Sequence, residues 1–180
     1  MDKWQKAASP VSVFYSYAVE DEKLQRKLET HLSSLRHQGL ISDLHHQKIV
    51  AGSDRAQSIN SYLESASLIL LLISPAFIAS DYCYDVEMQR AMERHRAGLA
   101  VVIPVLLRPV DWHDAPFASL QFLPRNDRPV AQWTDRDAAM VAIVEGIREA
   151  IDTTNSLTAM PSMRSILPQP VQDQNRQRFL

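Results

Sequence analysis

The stretch that most constrains the fold covers residues 67–95, where the hydrophobic period changes midway. Its first part, residues 67–73, is a short unbroken apolar run closed by Ser-Pro, which is typical of a strand buried on both faces. The run is too short to span a membrane, which needs about 20 apolar residues. Strand, short turn and helix together make half of a βαβ unit. The apolar residues after the turn recur at the spacing of one helix face: Tyr84, Met88, Ala91, Met92 and His95.

The turn between this strand and this helix is where we expect chemistry. In open parallel sheets, ligands bind outside the carboxyl ends of the strands, which here means residues 74–81 and the first helical turns. On a helical wheel, Glu87 lies about 60° from Tyr84, at the margin of the buried stripe. Two interpretations stay open at this point. Glu87 is a half-desolvated functional carboxylate, or it forms an exposed ion pair with Arg90, which spacing alone favours.

The remaining apolar segments predict a sheet in which strands alternate with helices. The expected fold is α/β, a flavodoxin-like doubly wound five-stranded parallel sheet with strand order 2-1-3-4-5. Pro104 removes a hydrogen-bond donor from the fourth strand, which favours an edge position or a bulge. The predicted strands cover residues 11–17, 40–45, 67–73, 99–107 and 129–133.

Polarity, proline content and hydrophobic period along the chain predict three parts. Residues 1–10 form a polar leader, and residues 11–152 form one domain. Residues 153–180 contain three prolines and no clear hydrophobic period, so we expect a linker towards a further domain.

Charge and motif content exclude several functions. The net charge of −2 comes without a basic stripe, so neither nucleic acid nor an anionic membrane is an expected partner. Cys83 is the single cysteine and the chain starts without an apolar signal segment, which favours a cytoplasmic location. The six histidines lack metal-site spacing, so no metal is expected. Neither a Walker loop nor a G-x-G-x-x-G motif occurs, so no nucleotide cofactor is expected.

Four segments resemble, in order, the boxes of one family. They are VFYSYAVEDE at residues 13–22, KIVAGSDRAQSI at 48–59, LLISPAFIASDYCYDVEMQRAM at 71–92 and IPVLLRPVDW at 103–112. The resemblance is to Toll/interleukin-1 receptor (TIR) domains of the bacterial type, and it covers about residues 11–151. It implies the TIR fold.

The resemblance also implies a choice between two functions. Many bacterial TIR domains cleave NAD⁺, whereas many animal ones are scaffolds that recruit other TIR domains. Glu87 matches the catalytic glutamate of the enzymes, with Asp85 a second candidate. The resemblance thus favours an NAD⁺ glycohydrolase that acts in bacterial immune defence and yields nicotinamide with ADP-ribose or a cyclic ADP-ribose isomer. NAD⁺ is then a substrate and no cofactor is needed. The alternative is a non-enzymatic scaffold for TIR–TIR signalling assemblies.

Further substrate-binding residues are expected near the strand ends. Aromatic side chains there can hold the rings of NAD⁺, although such residues also serve as ordinary core packing. A strand-end serine can bond a ribose or phosphate, or can simply pack. The cysteine is assigned to the lining of the site, because the cleavage needs no thiolate. The candidates are Tyr15, Ser16, Tyr17, Tyr82, Cys83 and Trp112.

Self-association is the partner interaction that the family implies. In TIR assemblies the BB loop of one subunit meets a neighbour and completes the pocket, giving a homo-oligomer or filament. Otherwise this segment is a mobile surface loop. Ala51 stands where many members have proline before the loop glycine. The BB-loop candidates are Lys48, Ile49, Val50, Ala51, Gly52, Ser53 and Asp54.

Two other functions use the same architecture. A phosphorelay receiver needs an aspartate at the end of the third strand, but that strand ends Leu72-Ile73-Ser74. An enzyme similar to nucleoside deoxyribosyltransferases also uses a glutamate on this architecture, so that possibility stays open.

Overall fold

A parallel sheet with helices on both faces forms the core of the computed structural model, which describes residues 9–43 and 55–158. Its strands are β1 (Val11–Ser16), β2 (Ile41–Asp43), β3 (Leu68–Ile73) and β4 (Val101–Leu106). All neighbouring pairs are parallel, and their order is β2-β1-β3-β4. The predicted fold class and the order of the first four strands are confirmed.

The helices alternate with these strands as the sequence predicts. Ser74 accepts a hydrogen bond from the Phe77 N–H and Pro75 follows it, so the start of α4 is set by a side-chain cap and a proline at the first helical position. A π-helix, Tyr82–Met88, leads directly into α5. The helices are α1 (Glu22–His31), α2 (Ser33–His37), α3 (Arg55–Ser65), α4 (Pro75–Ala79), α5 (Gln89–Arg96) and α6 (Arg136–Thr158).

The structure differs from the prediction at the fifth strand and at the end of the domain. The segment predicted as the fifth strand, residues 129–133, instead contains the 3-10 helix Val130–Gln132. The position beside β4 is taken by Leu123, whose N–H donates to the Pro104 carbonyl at 2.9 Å. A proline can lie there because it uses only its carbonyl on the outer side of β4. At the other boundary, α6 continues past the predicted domain end at residue 152.

The sheet divides the apolar core into two clusters. Every residue of β3 is at most 2% exposed, which confirms a strand covered on both faces. Alternation along β1 sends Tyr15 into the cluster beneath α1 and α6 and sends Phe14 into the cluster beneath α3, α4 and α5. We call these two sides the α1–α6 face and the α3–α5 face. Within the described ranges, no helix is both long and apolar enough to cross a membrane.

A buried arginine ties α3 to α5. Arg94 is only 6% exposed, and its guanidinium donates to the carbonyls of Leu63, Ala66 and Leu99. Two of these carbonyls lie at the carboxyl end of α3, where backbone oxygens lack partners within the helix and carry partial negative charge. Arg94, in the last turn of α5, therefore supplies hydrogen-bond donors to carbonyls at the carboxyl end of α3.

Replacing Arg94 with methionine keeps the apolar stem but removes every donor. We expect Arg94→Met to lower the free energy of unfolding by about 2–3 kcal/mol, because buried carbonyls lose their partners. Arg90→Met is the matched control on the same helix. It breaks only exposed ion pairs to Glu64 and Glu93, which are worth about 1 kcal/mol or less. Urea unfolding measures both, and equal losses would contradict the role given to Arg94.

Candidate functional site

A cleft of about 630 Å³ opens at the carboxyl ends of β1 and β3. Its walls come from the turn after β1, from α3 and α4, and from the π-helix. Clefts of roughly 300–1,000 Å³ suit small-molecule ligands. The cleft lies where a parallel sheet is expected to bind a ligand, and it includes residues of the turn that the sequence singled out.

Glu87 lies at the base of this cleft and is almost fully enclosed. It is 3% exposed, and its Oε2 accepts a hydrogen bond from the Ser16 hydroxyl at 2.5 Å. The i→i+5 turn of the π-helix rotates residues differently from an α-helix. Cys83, Glu87 and Met88 are therefore all buried, whereas an ideal α-helical wheel leaves Glu87 at the margin of the stripe. Inserted π turns of this kind are frequent at functional sites.

The ion-pair interpretation of Glu87 is wrong. Arg90 turns away from it and binds Glu64 through two contacts of 2.5 and 3.0 Å, and Glu93 through one of 2.8 Å. Among the described residues, no lysine, arginine or histidine forms an ion pair with Glu87. A buried carboxylate with a single serine donor and a cleft in front of it is the central feature of the site.

The environment of Glu87 disfavours its charge. Burial raises the pKa of Glu87 to about 7, and the hydrogen bond from Ser16 opposes the rise by favouring the ionised form. Both the neutral and the ionised form of Glu87 are consequently accessible near neutral pH. A carboxyl group poised near the ambient pH is typical of active sites.

Three of the predicted substrate-binding residues line the cleft beside Glu87. They are Tyr17, Tyr82 and Cys83. The Cys83 thiol donates to the Tyr17 carbonyl over 3.5 Å. Burial raises the pKa of that thiol, and negative charge on Glu87 adds to the effect. Cys83 is thus held as a neutral thiol, in keeping with a lining role and unlike a nucleophile.

Two other candidates lie away from the cleft. Tyr15 is 2% exposed and packs on the α1–α6 face. The prediction that Tyr15 contacts the substrate is therefore corrected. Trp112 stacks on His113 with ring centroids 4.6 Å apart and packs on Phe122 at 4.3 Å. It covers the core of the α3–α5 face and does not line the cleft. The BB-loop candidates, residues 48–54, lie outside the described residues.

Sequence analysis missed a second buried carboxylate at the same edge of the sheet. Asp21 has no exposed surface, accepts a hydrogen bond from the Ser74 hydroxyl and accepts another from Arg108 Nε at 2.7 Å. It joins the turn after β1 to the starts of the segments after β3 and β4. The sequence carried a signal, because Ser74 directly follows β3, and Arg108 follows β4 closely. Nothing in local spacing, however, pairs them with Asp21.

No metal centre is formed in the part of the chain that the structure describes. There, no three histidine, cysteine, aspartate or glutamate side chains are placed to hold an ion.

Comparison with known proteins settles the family. The family model for the TIR domain matches residues 13–142. The chain belongs to the TIR-domain family. The bacterial protein y4lF of Sinorhizobium fredii, which is uncharacterised, is 47% identical over 154 residues. The match covers 86% of this chain and 48% of that protein, so the chain spans about half the length of its relative.

A solved TIR structure shares the fold at low sequence identity. The TIR domain of the Toll-related receptor TRR-2 from Hydra magnipapillata matches with a TM-score of 0.53 and 21% identity, covering 81% of this chain and 99% of that one. The TIR domains of the activated Roq1 resistosome, which directly recognises the pathogen effector XopQ, match with a TM-score of 0.47 and 16% identity. That match covers 82% of this chain and 77% of the other.

Burial of Glu87 predicts a pH-dependent effect of its replacement. The pKa of Glu87 is higher in the folded state than in the unfolded chain, so the neutral form of Glu87 stabilises the fold at low pH. This contribution to the free energy of unfolding is lost as pH rises through about 7. Glu87→Gln stays neutral, and we expect it to be more stable than wild type by about 2–3 kcal/mol at pH 8. Near pH 4.5 the two should differ little.

Urea unfolding at both pH values measures this difference. Glu145→Gln, an exposed glutamate of α6, is the control and should change stability little at either pH. A pH-independent effect of Glu87→Gln would contradict the desolvation of Glu87.

Proposed function

We propose that this TIR domain is an NAD⁺ glycohydrolase, which breaks the bond between nicotinamide and ribose. The observation that supports the proposal most is the buried Glu87 carboxylate, which has a serine donor, no cation among the described residues and a cleft in front of it. The family includes both NAD⁺-cleaving enzymes and scaffolds, so the argument rests on the site and not on the fold.

The two buried carboxylates of this edge differ in a way that supports the proposal. Asp21 has Arg108 as a cationic partner and does not line the cleft. Among the described residues, Glu87 has no such partner, and it lines the cleft. Burying an uncompensated carboxylate costs stability. Such a cost is expected where the carboxylate acts on a ligand.

The reaction needs a negative charge at this position. The nicotinamide ring of NAD⁺ is a pyridinium and leaves as a neutral molecule, so no general acid is required. The electron pair of the breaking bond goes to the ring nitrogen, and positive charge develops on the ribose. Ionised Glu87 stabilises that charge, and we assign its second oxygen, Oε1, to a ribose hydroxyl. Tyr17 and Tyr82 present aromatic side chains for the rings.

Two products follow from what attacks the ribose. Water forms a new carbon–oxygen bond and yields ADP-ribose, with one proton released to solvent. Attack by a group on the adenine portion of the same molecule instead gives a cyclic isomer. In the proposed cycle the enzyme assembles through its BB loop, residues 48–54, and works in the cytoplasm in bacterial immune defence.

The test is nicotinamide release from NAD⁺ by protein that has been clustered through an affinity tag on lipid vesicles. We expect Glu87→Gln to lower the rate by about 100-fold or more, the loss typical of removing a group that stabilises transition-state charge. Asp85→Asn is the matched control, because Asp85 is the exposed acid of the same π-helix, and it should keep most of the activity.

The pH profile provides a further expectation. Since only ionised Glu87 is active, the rate should rise about tenfold between pH 6 and pH 8 and level off above. Absence of nicotinamide release from verified wild-type clusters would favour the scaffold function instead. An unchanged rate for Glu87→Gln would refute the role given to that residue. Nucleosides tested beside NAD⁺ would reveal a deoxyribosyltransferase-like activity.

A further inference from the structure

We propose that Ser16 is a positioning residue, which holds the Glu87 carboxylate in its working orientation and in its ionised form without touching the substrate. This inference rests on the proposed function for its catalytic consequence. Its structural part, the control of Glu87 by Ser16, stands on geometry alone. It also revises the sequence-based expectation that Ser16 binds a ribose or a phosphate.

Ser16 is enclosed by the protein. Its exposure is 0%, and it is absent from the residues that line the cleft, whereas Glu87 is among them. Its hydroxyl has one proton to donate, and that proton is directed at Glu87 Oε2 over 2.5 Å. A ligand in the cleft therefore meets Glu87 first, with Ser16 behind it.

The donor lies on a rigid element. Ser16 is the last residue of β1, a strand that has neighbours on both sides, and it pairs in register with Leu71 of β3. Alternation along β1 places Ser16 on the same face as Phe14, towards the π-helix. A hydroxyl fixed by a central strand orients its partner more precisely than one carried by a loop.

Among the described residues, Ser16 is the one whose interaction favours the ionised form of Glu87. Cys83, on the same π-helix, is a buried neutral thiol. From α3 and α4 the cleft receives Ile59, Ala76 and Ala79, which carry no charge. The other titratable groups lining the described part of the cleft are Tyr17, Tyr82, Glu20 and Glu22. The two glutamates would oppose a negative charge on Glu87, because like charges repel.

Removing the hydroxyl should make Glu87 harder to ionise. A hydrogen bond to the charged form of an acid lowers its pKa, so in Ser16→Ala we expect the pKa of Glu87 to rise by about one unit. At pH 7 kcat should fall by about fivefold, and the deficit should narrow as pH rises. The KM for NAD⁺ should change by less than about twofold, because Ser16 does not contact the substrate.

Two further variants separate positioning from general damage. Ser16→Cys is close in size and offers only a weak S–H donor. The pKa of Glu87 should therefore rise in Ser16→Cys as it does in Ser16→Ala, and the cysteine variant provides the test where the alanine variant folds poorly. Ser12→Ala, at the amino end of the same strand, is the matched control. The Ser12 hydroxyl binds Ser65 and Ser67 far from the cleft, and its loss should leave the pH profile unmoved.

The decisive measurement is the ¹³C NMR titration of glutamate carboxyl groups in wild type and in the Ser16 variants, assigned with Glu87→Gln. A raised pKa of Glu87 in Ser16→Ala and Ser16→Cys supports the proposal, even if no nicotinamide release is found and the proposed function fails. An unchanged pKa overturns it. A rise in KM of about tenfold with an unmoved pH midpoint would also overturn it, because that pattern identifies Ser16 as a substrate contact.

Discussion

A carboxylate removed from water needs donors around it, and at one edge of this sheet two carboxylates are buried together. Asp21 binds the Ser74 hydroxyl and Arg108 Nε, so three chain segments that follow different strands are held at one point. Glu87 binds Ser16 and couples the π-helix to β1. These contacts fix the walls and the base of the cleft, because the turn after β1, the start of α4 and the π-helix all meet there.

The two acids differ in whether a cation compensates their charge, and this difference separates the structural role of Asp21 from the role proposed for Glu87. Asp21 is paired with a cation, so its charge is compensated and it serves as a fixed structural contact. Glu87 has only a neutral donor among the described residues, and burial brings its pKa to about 7. Sites that keep an uncompensated group in this way trade stability for activity. The π-helix makes the arrangement possible, because its wider turn brings Glu87 onto the buried face of its helix.

Membership of the TIR family establishes the fold but leaves two functions open, since fold does not determine function. The geometry around Glu87 supports the proposed enzymatic function. A scaffold needs exposed surfaces and has no use for a poised carboxylate at the base of a cleft. An N-glycosidase that expels a neutral leaving group needs one stabilising charge and little else. The neutral Cys83 thiol beside Glu87 agrees with such simple chemistry, because a neutral thiol is a poor nucleophile and does not compete for the ribose.

The sequence by itself determined the elements that depend on local periodicity. The strand over residues 67–73 and the helical stripe after it follow from the local hydrophobic pattern. The order of four strands follows from the alternation of strands with helices and from right-handed crossovers. The choice of Glu87 followed from its position together with the family resemblance. Tertiary structure decided the contacts between residues far apart in the chain. Ser16 and Glu87 are 71 positions apart, and no local pattern encodes their pairing. The same reason explains why Tyr15 faces away from the cleft: alternation states that it opposes Phe14, but only packing of the helices decides which face carries the site.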